Sequence, residues 1–272
     1  MTGPADRKVV LVTGASSGLG RATATLLAGQ GHRVFGTSRL PSGADLPGVE
    51  MLVLDVREDA SVDEAVESLM RQSTRIDVLI NNAGYLLSGA IEETTIEEAK
   101  AQFDTNFFGA VRMVRAVLPS MRAHGGGRII NIGSLAGLIG VPFEGFYSAS
   151  KHALEGYTAS LRHEVRPFGI HVSMVEPGFF RSELSGAKRT PARTAPEYES
   201  VRGRAMASFE TAIAHGPDPA LVAATIAQAV AAHVPRLHYR IGRDAVSVPM
   251  LMALLPQSLF ERGLRRRFGL DR

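Results

Sequence analysis

Tyr147 and Lys151 stand four residues apart in the run Phe146-Tyr147-Ser148-Ala149-Ser150-Lys151. On a helix, positions i and i+4 share a face, so an ammonium can sit beside a phenol. A free tyrosine ionises near pH 10, too high for proton exchange at neutrality. Two unit charges about 4 Å apart attract by roughly 4 kcal/mol at an effective dielectric near 20. At about 1.4 kcal/mol per pKa unit, that attraction would bring the phenol toward the range of an efficient acid or base. The same spacing also arises on ordinary exposed helical faces, so its meaning depends on what accompanies it.

Near the N-terminus, Val9-Val10-Leu11-Val12 has the continuous apolar character of a buried parallel strand. It leads into Thr13-Gly14-Ala15-Ser16-Ser17-Gly18-Leu19-Gly20 and then a helix-forming stretch closed by Gly29 and Gly31. Strand, glycine turn and helix N-terminus together make an anion site, because free N–H groups and the helix dipole favour negative charge there. Glycines allow the tight turn and the close approach of a pyrophosphate. A nucleoside-triphosphatase loop is excluded, since no Gly-Lys-Ser/Thr follows.

In chain order, Thr13-Gly14-x-x-x-Gly18-x-Gly20, Asn81-Asn82-Ala83-Gly84, Ser134 thirteen residues before Tyr147, Lys151, and Pro177-Gly178 resemble the motifs of the classical short-chain dehydrogenase/reductases. The likeness runs from about residue 8 to residue 184. Gly36-Thr37-Ser38-Arg39, residues 147–156 and Glu176-Pro177-Gly178-Phe179-Phe180 are similar to the branch holding 17β-hydroxysteroid and retinol dehydrogenases.

The resemblance implies an oxidoreductase that interconverts a ketone or aldehyde and an alcohol by hydride transfer. Tyr147 would exchange the proton, Ser134 would hydrogen-bond the reacting oxygen, and Lys151 would lower the Tyr147 pKa and hold the nicotinamide ribose. Asn106 would perturb its helix and anchor a relay water to Lys151. Its residue type agrees with such a role, since asparagine competes for backbone hydrogen bonds and is a poor helix former. Cofactor contacts are implied for Gly14, Ser16, Ser17, Gly18, Leu19 and Gly20 in the turn, and for Asp55 and Val56 at adenine. Asn82, Ala83 and Gly84 line the nicotinamide side, with Tyr147, Lys151, Pro177 and Gly178 completing the set. Asn81 and Asn82 are equally plausible as turn formers. The family's carboxamide-binding threonine is matched here by Ser182, which keeps the hydroxyl and lacks the methyl. No metal is expected.

The second strand ends in Ser38-Arg39. An acidic residue there would hold the ribose hydroxyls of NAD, whereas an arginine accommodates the 2′-phosphate of NADP. NADP(H) is therefore expected in preference to NAD(H).

Strand-like runs at 8–13, 33–38, 50–54, 77–81, 127–133, 170–176 and roughly 237–241 alternate with helix-like segments near 18–30, 60–72, 96–123, 145–166 and 219–233. Alternation of this kind predicts an α/β Rossmann fold, a doubly wound parallel sheet of seven strands with helices on both faces. A single domain over 1–272 is expected. Its dinucleotide-binding core would cover about 8–178, a mobile substrate lid about 179–215, and a substrate or oligomer segment about 242–272. The resemblance implies a homodimer or homotetramer built on the helices near 96–123 and 145–166.

Composition narrows the remaining classes. The chain has 272 residues, 45% hydrophobic and 21% charged, as in ordinary globular proteins. It has no cysteine, which excludes disulfides, thiol nucleophiles and cysteine-based metal sites. The net charge is only +3 and no basic stripe with aromatic platforms is present, so nucleic acid is not an expected partner. Residues 246–255 are apolar but too short for a membrane span and are interrupted by Pro256. They read as a helix over the pocket or a partner subunit, with peripheral membrane contact as the alternative. Residues 1–8 lack an apolar stretch, so a cytoplasmic location is expected.

Substrate choice falls to Tyr85, Leu86 and Leu87, residues 139–143, and Phe179-Phe180, all able to line an apolar pocket or simply to fill the core. A bulky hydrophobic ketone or alcohol of steroid, retinoid or aromatic-ketone type is expected. A polar sugar or β-ketoacyl substrate, or a non-catalytic NADP-binding sensor on the same fold, are the alternatives.

Overall fold

The apolar runs expected to form buried strands all enter one sheet. The computed structural model describes residues 7–40, 46–181 and 188–271. Strands β1 (Val9–Val12), β2 (Arg33–Ser38), β3 (Val49–Val53), β4 (Val78–Asn81), β6 (Gly127–Ile132), β7 (Ile170–Pro177) and β9 (His238–Ile241) pair in parallel in the order β3-β2-β1-β4-β6-β7-β9. A second ribbon joins β5 (Leu86–Leu87) to β8 (Lys188–Arg189).

Side chains alternate across the sheet with period two. Val10 and Val12 of β1 pack toward α1 (Gly18–Gly29) and α7 (Pro219–Ala231). Leu11 between them packs toward α2 (Asp59–Ser73), α4 (Gly109–Ala123) and α5 (Gly145–Val165). Both faces are thus covered, which is why β1, and β4 as far as Ile80, can be apolar without interruption. β1 and β4 lie at the switch point of the doubly wound order, so the loops leaving their carboxyl ends border a crevice.

Several elements depart from expectation. The helix expected over 96–123 is α3 (Ile96–Phe103), a wide turn at Asp104–Phe108, and then α4. In the wide turn the Gly109 N–H reaches back five residues to the Asp104 carbonyl, a π-type slip. The described part of the expected lid contains α6 (Glu199–Ala214), anchored by buried Ala205 and Phe209 and by an ion pair from Arg202 to Glu93. Its residues 182–187 lie outside the described residues.

The C-terminal segment forms α8 (Arg243–Leu254) and α9 (Gln257–Arg267). Val248, Phe260, Leu264 and Phe268 join the cluster of Leu86, Leu135, Val141 and Phe209 at the crevice rim. Most of the apolar run is not used this way: Met250, Leu251, Met252 and Leu254 are exposed. Among the described residues no helix is long and apolar enough to cross a membrane.

Candidate active site

A cleft of about 390 Å³ opens at the carboxyl ends of β1, β2, β4 and β6. The glycine turn forms its floor, with Gly14, Ser16, Ser17, Gly18, Leu19 and Gly20 all on the lining. Gly14 holds φ +66, a conformation that L side chains rarely adopt. A Cβ at Gly20 would fall 2.2 Å from the Gly14 carbonyl oxygen and 2.4 Å from Asn82 Nδ2, so any side chain there would displace the turn or the Asn82 side chain. Ser17, the residue before α1, makes no side-chain capping bond, and the first N–H groups of α1 keep their capacity for an anion. These features fit a dinucleotide pyrophosphate.

The Asn-Asn-Ala-Gly turn is clamped onto this floor. Asn82 Nδ2 donates to the carbonyls of Thr13 (2.9 Å) and Gly14 (3.2 Å). The N–H groups of Asn82 and Ala83 donate to Thr13 Oγ1 at 2.9 and 3.0 Å. Asn81 instead reaches across the sheet to Asn131 Oδ1 at 2.9 Å. Both asparagines therefore carry structural duties, while Asn82, Ala83 and Gly84 also line the cleft.

At the far end, Arg39, Asp55 and Val56 line the cleft, and Arg39 is exposed. The Asp55 carboxylate is committed to Arg57, which donates from Nε at 2.9 Å and from its terminal nitrogen at 2.5 Å. That hydrogen bonding holds the Asp55 carboxyl below its ordinary range. Arg57, also on the lining, was not among the sequence candidates. Its signal was a second cation two residues after Asp55.

Four polar side chains converge on the β6 side. Tyr147 and Lys151 sit on the first turns of α5 and both line the cleft, as does Ser134 after β6. Lys151 Nζ donates to the Ile132 carbonyl at 2.7 Å and lies 5.8 Å from the centre of the Tyr147 ring. Ser134 Oγ accepts the Ala136 N–H at 3.2 Å, which leaves its proton available to another acceptor. Asn106, in the wide turn, is buried behind the cleft wall. Its Nδ2 donates to the Tyr85 carbonyl (2.9 Å) and Ser150 Oγ (3.3 Å), and its Oδ1 accepts the Tyr85 N–H (3.0 Å).

Burial dominates the electrostatics of this group. Burial pushes the Tyr147 phenol up to about 12; the Ser134 hydroxyl pulls it back and the Glu144 carboxylate pushes it further up. Burial likewise brings Lys151 down to about 8, against the favourable field of Glu155. Desolvation is the dominant influence on each, and both groups are biased toward their neutral forms. Behind Lys151, Glu155, Glu176 and His238 crowd together, with His238 Nδ1 3.1 Å from Glu176 Oε2. Burial and the neighbouring Glu176 raise the Glu155 pKa.

Pro177 and Gly178 close the lining at the end of β7, beside Phe179 and Phe180. Tyr85, Leu86 and Val141 also face the cleft, and α6 adds Phe209 and Ile213, which sequence reasoning missed. Leu87 and Ile139 are instead buried core residues. Ser182 lies outside the described residues.

The family model for short chain dehydrogenases matches residues 8–193. The chain is 41% identical over 267 residues to 3-ketodihydrosphingosine reductase of Bacteroides thetaiotaomicron, covering 95% of this chain and 97% of the relative. Its fold is similar to a short-chain dehydrogenase from Streptomyces avermitilis, with TM-score 0.84, 36% identity and coverage of 98% and 100% of the two chains. A Burkholderia phymatum short-chain dehydrogenase/reductase in complex with NAD is similar at TM-score 0.79 and 25% identity, covering 95% of each chain. Other similar structures are complexes with NADP+, NADPH or NADP.

Proposed function

This chain belongs to the short-chain dehydrogenase family and is an NAD(P)-dependent oxidoreductase, and from that premise we propose an NADP(H)-dependent interconversion of a bulky apolar ketone and its alcohol with Tyr147 as the proton-exchanging group. The convergence of Ser134, Tyr147 and Lys151 on the cleft that also holds the glycine turn carries this reading.

When bound, the nicotinamide supplies or accepts the hydride. In reduction, Tyr147 gives its proton to the carbonyl oxygen as charge develops there, and its high pKa keeps it protonated across the neutral range. Ser134 donates to the same oxygen, its lone pair already engaged by Ala136. Lys151 has one donor fixed on Ile132 and two left for a ribose hydroxyl or a water. Asn106 holds the Tyr85 backbone and Ser150, and so sets the wall next to Lys151. In alcohol oxidation Tyr147 must first lose its proton, a loss that the positive charge of an oxidised nicotinamide would favour when bound.

NADP(H) selection is assigned to Arg39, whose planar donor fork suits a 2′-phosphate, with Arg57 neutralised by Asp55. The apolar walls from Leu86, Val141, Phe179, Phe180 and Phe209 suit a lipophilic substrate. The relative named for 3-ketodihydrosphingosine, a lipid ketone, supports the same class. Homo-oligomerisation through the helices near 96–123 and 145–166, which are α3, α4 and α5, belongs to this reading. Phe108, at the head of α4, is 49% exposed and offers an apolar contact.

A library of ketones and alcohols graded by size and polarity, assayed with both nicotinamide cofactors, tests the whole. Turnover concentrated in the bulky apolar members with NADPH is expected. No preference between large apolar and small polar members would overturn the substrate class.

A further inference from the structure

Glu144 has no part in the proton chemistry above, yet it stands three residues before Tyr147 on the cleft lining. It is 2% exposed, and its Oε1 is sealed from solvent without a hydrogen-bond partner. It occupies the position preceding α5, but its carboxylate makes no capping bond to that helix. The backbone fixes it firmly. Phe143 before it holds φ +62, the Phe143 carbonyl accepts the Gly89 N–H at 2.8 Å, and the Glu144 carbonyl accepts the Ser148 N–H at 2.8 Å.

A buried carboxylate without a partner is costly, and burial pushes this one up to about 8. Lys188 is the cation that opposes the shift, and its ammonium is itself paired with Glu210 at 3.5 Å. Glu144 also acts electrostatically on the Tyr147 phenol, so it lies close to where a carbonyl oxygen would be reduced. Leu86, Val141 and Phe209 leave the rest of this wall apolar. A cationic group entering beside Tyr147 would supply the missing partner.

We propose that Glu144 is the counter-ion for an ammonium group carried by the substrate next to the reacting carbonyl, which makes the substrate class amino ketones and their amino alcohols. This rests on the ketone–alcohol reading above and narrows it. In the oxidative direction the carbinol C–H bond breaks and its hydride passes to the oxidised nicotinamide. The hydroxyl proton goes to the phenolate of Tyr147, C–O becomes C=O, and the amine is unchanged. The apolar wall takes the alkyl tail.

The test uses the intact enzyme with NADP+ and four alcohols: 1-aminodecan-2-ol, decan-2-ol, decane-1,2-diol and 10-aminodecan-2-ol. A charge-assisted hydrogen bond corresponds to about a 10- to 100-fold gain, so kcat/KM for 1-aminodecan-2-ol should exceed that for decan-2-ol by this factor. The diol should gain less than about tenfold, and the remote amine should gain nothing, because its cation cannot reach Glu144. Glu144→Gln should bring the ratio of 1-aminodecan-2-ol to decan-2-ol within about threefold of one, below the span of a single charge-assisted bond. The wild-type ratio is read without any variant, so misfolding of Glu144→Gln does not remove the test. Equal turnover of 1-aminodecan-2-ol and decan-2-ol, or a preference that survives in Glu144→Gln, would overturn the proposal while the ketone–alcohol reading stands. Failure of all four, together with the ketone library, would overturn both.

Discussion

Replacing Arg39 by aspartate tests the cofactor assignment through a quantity the structure sets. Arg39, Asp55 and Arg57 line one end of the cleft, and Asp55 is held by Arg57 at 2.5 Å. The trio therefore carries one net positive charge, centred on the exposed Arg39, and the substitution makes it negative. Hydrogen bonds to a charged group contribute about 1.5–3 kcal/mol, which the variant loses for a 2′-phosphate. It also gains a repulsion of about 1 kcal/mol for solvated charges about 4 Å apart. At about 1.4 kcal/mol per tenfold, kcat/KM for NADPH should fall about 10²- to 10³-fold. NADH lacks the 2′-phosphate and should change by less than about threefold, or improve where aspartate accepts from the ribose hydroxyls. Steady-state kinetics with both cofactors decide the matter. An unchanged Michaelis constant for NADPH would show that Arg39 does not meet the cofactor.

Three further outcomes follow from the same geometry. Lys151, lowered by burial to about 8, loses its charge as pH rises through that value, so kcat/KM for NADPH should fall above about pH 8; a Lys151→Arg enzyme, which cannot deprotonate, should show no such limb in its pH profile. Gly20→Ala places a methyl 2.2 Å from the Gly14 carbonyl oxygen and should cost about 1–3 kcal/mol in urea unfolding. Glu155 has its folded pKa raised above the unfolded value, so its contribution to stability is present at low pH and lost as pH rises beyond the ordinary carboxylate range. Glu155→Gln should accordingly melt close to wild type at pH 5 and above it in alkaline buffer, as calorimetry would show.

The sheet was legible because its strands are short, continuous apolar runs buried on both faces, and β1, β2 and β4 lie within a residue or so of their expected limits. The cleft residues were legible for a related reason: glycine turns and the Tyr147–Lys151 spacing are local patterns that the fold carries to one sheet edge. What escaped was non-local or weakly patterned. The β5–β8 ribbon has two residues on each side, too few for any alternation to register. Helix α6 buries only Ala205 and Phe209, so no apolar stripe announces it. The π-type slip at Asp104–Phe108 lies where α3 and the turn pack on α5 and α4 packs on α2, and Asn106 was its one local sign. Desolvation of Tyr147 and the isolation of Glu144 arise from side chains distant in sequence, which a reading of neighbours does not supply.

The proton-exchange role of Tyr147 is tested most directly by single-turnover reduction of a good ketone substrate with bound NADPH, comparing wild type with a Tyr147→Phe variant of matched melting temperature. Loss of a positioned acid predicts a hydride-transfer rate lower by about 10²- to 10⁴-fold. A phenylalanine enzyme that reduces the ketone at the wild-type rate would contradict the account.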